Sequence, residues 1–273
     1  LAYPLFSELM ECRYLMRNFA EAERLFNVLI TSAASKPDQA RAFTTMIKLY
    51  TTIGPPQDAV ELGLTALKIF NLHLKIDMGR GPVIREWIKA AYLLKKTGID
   101  AVVNLPRMQD KHLLAAHELM LHLGHPAYYM NKNLIAFMAL RGVTDSLRHG
   151  LVPHAGIAFI GMANILQNEF GNYELAYRLG LTALKLDDRL DAVKTKGAVL
   201  HNFAYFIQHW KKHLRHNLEI YLKVYELAMN TGDFIYAGHS VNAVAETRLF
   251  LDHRLDDVME ELKKHQTFML ESK

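Results

Sequence analysis

The six-residue string GLTALK occurs twice in this chain, at positions 63–68 and 180–185. The residues around it agree as well, since DAVELGLTALKIF begins at Asp58 and ELAYRLGLTALKLD begins at Glu174. The two copies lie 117 residues apart, a distance that equals three units of 39. Units of about 34 to 45 residues are typical of arrays built from paired helices. The repetition therefore predicts that the chain folds as a helical array.

A short pattern, which we call the turn frame, explains why the string recurs. In the segments RNFAEAERLFNVL, IGPPQDAVELGLTA, FGNYELAYRLGLTA and TGDFIYAGHSVNAV, a turn residue is followed five positions later by alanine. These alanines are Ala22, Ala59, Ala176 and Ala237. A small residue at such a point lets two helices approach closely while a bulky side chain fills the adjoining groove. The pattern favours tetratricopeptide-like repeats over HEAT repeats.

Apolar residues with helical spacing occur almost throughout the chain, and no convincing strand pattern interrupts them. Glycine and proline divide the sequence into pieces that predict an all-α fold of about thirteen helices. We expect these helices to stack as antiparallel pairs in a tetratricopeptide-like right-handed superhelix, with residues 1–273 forming a single solenoid. The segment 82–149 fits the repeat period poorly, so an odd helix or an insertion is expected there.

The composition agrees with an ordered protein, because 51% of the 273 residues are apolar and 22% are charged. The single cysteine, Cys12, rules out an internal disulfide and indicates a reducing compartment, for which the cytoplasm is the default. The first residue is not methionine, so we expect a fragment of a longer chain. The most apolar window, which begins at Gly150, contains Pro153 and His154 and does not predict a membrane span.

Several blocks of the sequence resemble one family of proteins. These blocks are NFAEAERLFNVLI (18–30), AVELGLTALKI (59–69), LPRMQDKHLLAAHELM (105–120), GNYELAYRLGLTALKL (171–186), HNFAYFIQHWKKHLRHNL (201–218) and TGDFIYAGHSVNAVAETRLFL (231–251). In order, they resemble the tetratricopeptide-like segment of large bacterial and fungal signalling proteins. In that family a protein-kinase-like domain and an AAA-type ATPase precede the helical array, and GAF and histidine-kinase domains often follow. The resemblance implies a regulatory or interaction segment, and it transfers no catalytic residue.

Tests for catalytic and metal-binding motifs give no candidate. The turn GRGP at 79–82 lacks the lysine of a phosphate-binding loop. His117 and His122 are five residues apart, so they face different ways on a helix and cannot form a zinc pair. Carboxylates cluster at a helix end and beside the DHRLDD turn, and we interpret both clusters as caps of helix starts and not as catalytic pairs. The first cluster is Asp187, Asp188 and Asp191, and the second is Asp252, Asp256, Asp257, Glu260 and Glu261. We therefore expect no catalytic, cofactor-binding or metal-binding residue, and no enzymatic activity in this segment.

The segment HWKKHLRH at 209–216 is a candidate for binding a partner. We call six of its residues the basic corner: His209, Lys211, Lys212, His213, Arg215 and His216. One geometry is a single helix over 199–216, with Trp210 on the apolar face and His201 on the opposite face. The other, which the repeat spacing favours, is a corner between two helices near 209–212, with Trp210 in the core. Both geometries leave His201 and the basic corner near the surface. A solvated basic edge is the simplest interpretation, while contact with an acidic partner and metal binding are the alternatives.

Two functional hypotheses follow. The first is a non-catalytic protein-interaction and regulatory segment of a signalling kinase or ATPase, which docks a partner protein or another domain of the same polypeptide. If histidines take part, binding should weaken as the pH rises through roughly 6–7. The second is a small-molecule sensor, for which an internal polar cavity near segment 82–149 would be evidence, whereas a long open groove would favour a protein partner. Nucleic acid is not the expected partner, because the aromatic residues are spaced for packing between helices.

Overall fold

The computed structural model describes the backbone of residues 2–271 and the side chains of residues 3–52, 54–260 and 262–265. Over this range the chain is helical and contains thirteen α-helices and no strand, which confirms the all-α prediction. Within the described residues, Arg107 and Leu151 form an isolated β-bridge between two loop segments. None of the described helices has both the length and the apolar character needed to cross a bilayer.

The chain divides into two compact units. Unit 1 comprises Leu1–Ile88 and Met108–Met138, and unit 2 comprises Lys89–Arg107 and Ala139–Lys273. All three division points fall inside segment 82–149, which the sequence marks as irregular. The single continuous solenoid and its superhelical arrangement stay predictions.

Unit 1 contains five whole α-helices: α1 (Ala2–Leu15), α2 (Phe19–Ser32), α3 (Lys36–Ile53), α4 (Pro56–Lys68) and α6 (Lys111–Met130). Two further helices, α5 (Arg80–Thr97) and α7 (Lys132–His149), each contain a division point. Helix α6 packs against both α3 and α4. Their apolar faces form one continuous core, in which Leu25, Ile47, Leu67, Leu119 and Leu123 are fully buried.

Unit 2 contains six whole α-helices: α8 (Ala155–Phe170), α9 (Tyr173–Leu190), α10 (Val193–Asn202), α11 (Asn217–Thr231), α12 (Phe234–Phe250) and α13 (Leu255–Glu271). The pairs α8–α9 and α11–α12 make its most extensive contacts. A 3₁₀ segment, Ile99–Asn104, lies against α9. Arginines of α9 hold this segment, because Arg189 donates to the Leu105 carbonyl at 2.9 Å and Arg178 pairs with Asp100 at 3.2 Å.

The turn frame has a common geometry in three of its four copies. The turn residue has positive φ at Arg17, Gly171 and Gly232. The next residue caps the following helix by accepting a hydrogen bond from the backbone N–H three positions later, and these caps are Asn18, Asn172 and Asp233. All four alanines of the frame are fully buried. The copy before α4 differs, since Gly54 has φ −96° and Pro55 offers no side-chain acceptor.

The two GLTALK copies lie on α4 and α9, and each begins with a glycine at a close helix contact. A Cβ atom at Gly63 would lie 2.3 Å from Cδ2 of Leu123, and one at Gly180 would lie 2.7 Å from Cδ2 of Phe203. No side chain fits at either position without displacing a buried neighbour. The string recurs because the same close approach recurs.

Candidate partner-binding corner

The basic corner follows a change in helix geometry. After α10, residues Phe203–Ile207 form a π-helical turn, and Gln208–Trp210 and Leu214–His216 form 3₁₀ turns before α11 begins. The corner predicted near residues 209–212 is therefore present, and the single continuous helix is not. Such changes of helix type interrupt the regular hydrogen-bond ladder, so other groups must satisfy the carbonyls that it leaves.

Two buried amide side chains satisfy carbonyls of this segment, and a third buried amide holds one of the two in place. Gln167 of α8 donates to the Phe206 carbonyl at 2.6 Å, and Asn217 of α11 donates to the Ala204 carbonyl at 2.7 Å. The Gln208 amide donates to Oδ1 of Asn217 at 2.7 Å. Because buried polar groups are costly to leave unpaired, this network fixes the shape of the corner.

The structure brings the predicted residues together on one short segment. Lys211, Lys212, His213, Arg215 and His216 are exposed. The Lys211 ammonium pairs with the carboxylate of Glu174, at the start of α9. Nδ1 of His213 accepts hydrogen bonds from the backbone N–H and from Nε of Arg215, both at 3.2 Å. Lys211, His213 and Arg215 are thus held in defined positions on an exposed segment.

His209 is the one member of the basic corner that is half-buried. Burial lowers the pKa of its imidazole, and a hydrogen bond with the Ala204 backbone partly offsets this change. Protonation of His209 is therefore disfavoured relative to a free histidine. The exposed lysines and arginine supply the positive charge of the corner.

Trp210 does not lie in the core, contrary to the prediction for the corner geometry. Its side chain is 53% exposed and lies beside Tyr173, with ring centroids 4.8 Å apart. The π-helical and 3₁₀ turns change the rotation per residue, so the helical phase that placed Trp210 with the core residues is lost. The result is an exposed aromatic pair next to the lysines, a feature that sequence analysis missed.

His201 is also placed differently from the prediction, because it is buried and not near the surface. Its ring packs among Tyr205, Tyr221, Tyr236 and His239, with centroid distances of 5.5–5.7 Å. Burial, and secondarily the charge of His239, lowers the pKa of His201 to about 4. His201 is thus a neutral packing residue at physiological pH and does not contribute to the basic corner.

The acidic cluster after GLTALK differs from the helix-start caps that we expected. Asp187 lies in the last turn of α9 and is only 2% exposed, and neither of its carboxylate oxygens has a hydrogen-bond partner among the described residues. Burial, and secondarily the charge of Asp188, raises the pKa of Asp187 to about 7. Asp191 ends α9 in the left-handed conformation. Acidic residues do begin a helix at Asp256 and Asp257, in the first turn of α13.

The remaining sequence candidates have simple structural placements. His117 is buried, whereas His122 pairs with Glu118 at 3.2 Å. No group of three or more potential metal ligands occurs among the described side chains. The aromatic residues are only partly used for packing, since Tyr221 is buried but Tyr128, Tyr129 and Phe250 are largely exposed.

Comparison with known proteins gives one distant relationship. The chain is 19% identical over 289 residues to a protein described as hybrid signal transduction histidine kinase G from Dictyostelium discoideum. The similarity covers 98% of this chain but only 8% of that relative, so the chain spans a small part of the relative's length. No protein-family model matches, and no solved structure matches. The finding connects this chain with a signal-transduction protein.

Proposed function

We propose that this chain is a non-catalytic interaction and regulatory segment of a signalling protein that also contains kinase or ATPase domains. In this proposal the basic corner docks an acidic segment of a partner protein or of another domain of the same polypeptide. The relationship to a signal-transduction histidine kinase supports the signalling role. The recurrence of the turn frame at 17–22, 171–176 and 232–237 supports helix pairs of the tetratricopeptide-like kind.

The observation that carries the docking proposal is the fixed shape of the basic corner. Hydrogen bonds from Gln167, Gln208 and Asn217 hold the backbone in place, so little conformational freedom is lost when a partner binds. The pairing of Lys211 with Glu174 supports recognition of a carboxylate at this position. Clustered cations that face acidic groups mainly increase the rate and specificity of association.

The exposed pair of Trp210 and Tyr173 supplies the apolar contact that such an interface needs. Aromatic residues are enriched among the positions that contribute most to binding, and cations at the rim of an interface contribute less. Because Trp210 directly precedes Lys211, one acidic segment with an apolar side chain can contact both. The proposed partner is therefore an acidic segment that also presents an apolar residue.

The test is quantitative affinity capture from the source organism's lysate. The native chain is compared with a variant in which Lys211, Lys212 and Arg215 are changed to Glu. A matched control changes the exposed Lys194, Lys223 and Lys263 to Glu, which alters the net charge equally. We expect a protein that the native chain and the control capture and that the corner variant loses, and its capture should fall as ionic strength rises.

The outcomes separate the two parts of the proposal. A partner that all three chains capture equally would retain the interaction role and exclude the basic corner as its site. If the native chain captures nothing, docking to a separate protein is wrong. When the native chain captures a partner, Trp210→Ala tests the aromatic contribution to binding, because it removes the apolar contact and leaves the charges unchanged.

A second candidate function, small-molecule sensing, has one specific observation in its favour. A groove of about 400 Å³ lies in unit 1, and one of its walls belongs to segment 82–149. It differs from the expected internal polar cavity, since most of its lining is apolar and its charged rim is exposed to solvent. Its volume nevertheless falls in the range of about 300 to 1,000 Å³ that is typical of ligand sites.

A further inference from the structure

The groove lies between residues 37–44 of α3 and residues 111–118 of α6. Ala40 and Thr44 contribute its wall on α3, and Leu114 and Ala115 contribute its wall on α6. Three of these four side chains are small, so neither helix fills the space between them. An unfilled apolar surface of this kind forfeits packing contacts that a ligand can supply.

The charges at the groove are unevenly distributed. Arg41 lies on the α3 wall and Lys111 on the α6 wall, and both side chains are exposed. The one carboxylate in the lining belongs to Glu118, which is seven residues beyond Lys111 and therefore about 10 Å further along α6. That carboxylate lies 3.2 Å from Nε2 of His122, which occupies part of its hydrogen-bonding capacity. The end of the groove at Lys111 is thus its electropositive end.

The helix starts add to this polarity. The groove is lined by the beginnings of both α3 and α6, where the helix dipole places partial positive charge. Asp38 lies 3.5 Å from Arg41 and offsets part of its charge. The oxygen of Asp110 is used to cap α6, since it accepts hydrogen bonds from the backbone N–H groups of His112 and Leu113. Lys111 is the cation best placed to meet a ligand's anionic group.

We propose that this groove binds a small amphiphilic organic anion. The carboxylate of the ligand lies at Lys111 and Arg41, and an apolar body of about 10 Å, the length of two helical turns, extends along Ala40, Leu114 and Ala115. The inference supplies the ligand class for the sensor hypothesis, on which its regulatory meaning rests. The groove belongs to unit 1 and the basic corner to unit 2, so the two proposals can fail separately.

The test is titration calorimetry of the whole chain with three eight-carbon probes: octanoate, octan-1-ol and octylamine. We expect saturable binding of one octanoate per chain and at least tenfold weaker binding of octylamine, because their head groups carry opposite charges. Lys111→Gln should weaken octanoate binding about tenfold, which corresponds to about 1.4 kcal/mol. The matched control is Lys48→Gln, which removes an exposed lysine of α3 that does not line the groove.

Two variants test the location of the ligand. Ala115→Leu fills the groove and should abolish octanoate binding. If that variant does not fold, Leu114→Ala replaces it in the test, because it removes apolar contact and should weaken octanoate binding. The absence of saturable octanoate binding to the native chain would overturn the proposal. Equal binding of all three probes would contradict the anionic head group, and unchanged binding in both wall variants would contradict the location. The corner variant with Lys211, Lys212 and Arg215 changed to Glu should bind octanoate like the native chain.

Discussion

The two copies of GLTALK have identical sequences in different surroundings, and they differ in what they bury. In both copies the glycine and the alanine are buried at helix contacts. On α4 the leucine after the glycine, Leu64, is only 7% exposed, whereas its counterpart on α9, Leu181, is 36% exposed. The exposure of the threonines is reversed, since Thr65 in the first copy is exposed and Thr182 in the second copy is buried. The small residues therefore set the close contact, and the neighbouring helices decide which flank of the string is covered.

The second residue beyond the string separates the copies further. In the first copy this residue is Phe70, which packs partly buried against the core of unit 1. In the second copy the same position is Asp187, whose buried carboxyl contacts α8, because a Cβ atom at Gly156 would lie 2.1 Å from its Oδ1. An aromatic side chain at this position adds apolar contact. A carboxyl at the same position makes the stability of unit 2 depend on pH.

The largest expected effect is the removal of that carboxyl by Asp187→Asn. The pKa of Asp187 is raised from 3.8 to about 7, so the folded chain retains a proton that the unfolded chain releases near pH 4. This group therefore stabilises the fold at low pH, and its contribution is lost as the pH rises to about 7. Relative to the native chain, the variant should gain about 3 kcal/mol in free energy of unfolding between pH 5 and pH 8.

Urea denaturation of both chains at the two pH values measures this gain. The comparison with the native chain is necessary because His201, with its pKa lowered to about 4, has the opposite effect and loses stability as the pH falls. Asp191→Asn is the matched control, since Asp191 is exposed at the end of the same helix and asparagine tolerates its left-handed conformation. A difference between the Asp187 variant and the native chain that is the same at both pH values would contradict the prediction.

The glycines that begin the string test whether the two close contacts are equivalent. Gly63→Ala and Gly180→Ala should each lower the free energy of unfolding by about 1 to 2 kcal/mol, because overpacking outweighs the gain in helix propensity. The loss should be larger at Gly63, where a Cβ atom would lie 2.3 Å from Leu123, than at Gly180, where the nearest atom of Phe203 is 2.7 Å away.

The same substitution at open glycines is the control for this pair. A Cβ atom at Gly124 in α6 or at Gly238 in α12 would meet nothing within 4 Å, so alanine there should stabilise the chain by about 0.5 to 1 kcal/mol. Urea denaturation monitored by circular dichroism measures all four variants. If Gly63→Ala and Gly180→Ala also stabilise the chain, the close contact is not the reason for the repeat.

The smallest effect concerns the start of α9. Asn172 caps this helix by accepting a 3.1 Å hydrogen bond from the Leu175 N–H, whereas Pro55, which precedes α4, provides no side-chain cap. Asn172→Ala should lower the free energy of unfolding by about 1 kcal/mol. Asn172→Asp retains the acceptor and should restore most of the loss, as measured by urea denaturation. Equal losses in both variants would show that the cap is not the cause.

The sequence predicted the features that depend on local spacing. The helical class, the number of helices, the four buried alanines and the corner near residue 210 all follow from periodicity and from turn residues. Local patterns of this kind persist because the same short-range contacts form in both units. The cationic groups of the basic corner were also found from their clustering alone.

The misplacements have two physical causes. His201 was expected near the surface and Asp187 in a helix cap, but tertiary contacts from other helices bury both side chains. Trp210 was assigned to the core because an ideal helix was extended through a segment that contains a π-helical turn. None of these three placements can be derived from spacing, since two depend on helices that are distant in the sequence and the third depends on a π-helical turn that an ideal helical period does not describe.

The amide network at the corner makes the binding surface a property of the assembled chain, and not of a linear epitope. Gln167 and Phe206 are 39 residues apart, so their hydrogen bond closes a long loop before the corner acquires its shape. During synthesis the ribosome must release α8 through α11 before this surface exists. A peptide of residues 203–217 carries the same cations, but it loses conformational entropy when it becomes ordered on binding. It should therefore bind the partner far more weakly than the folded chain does.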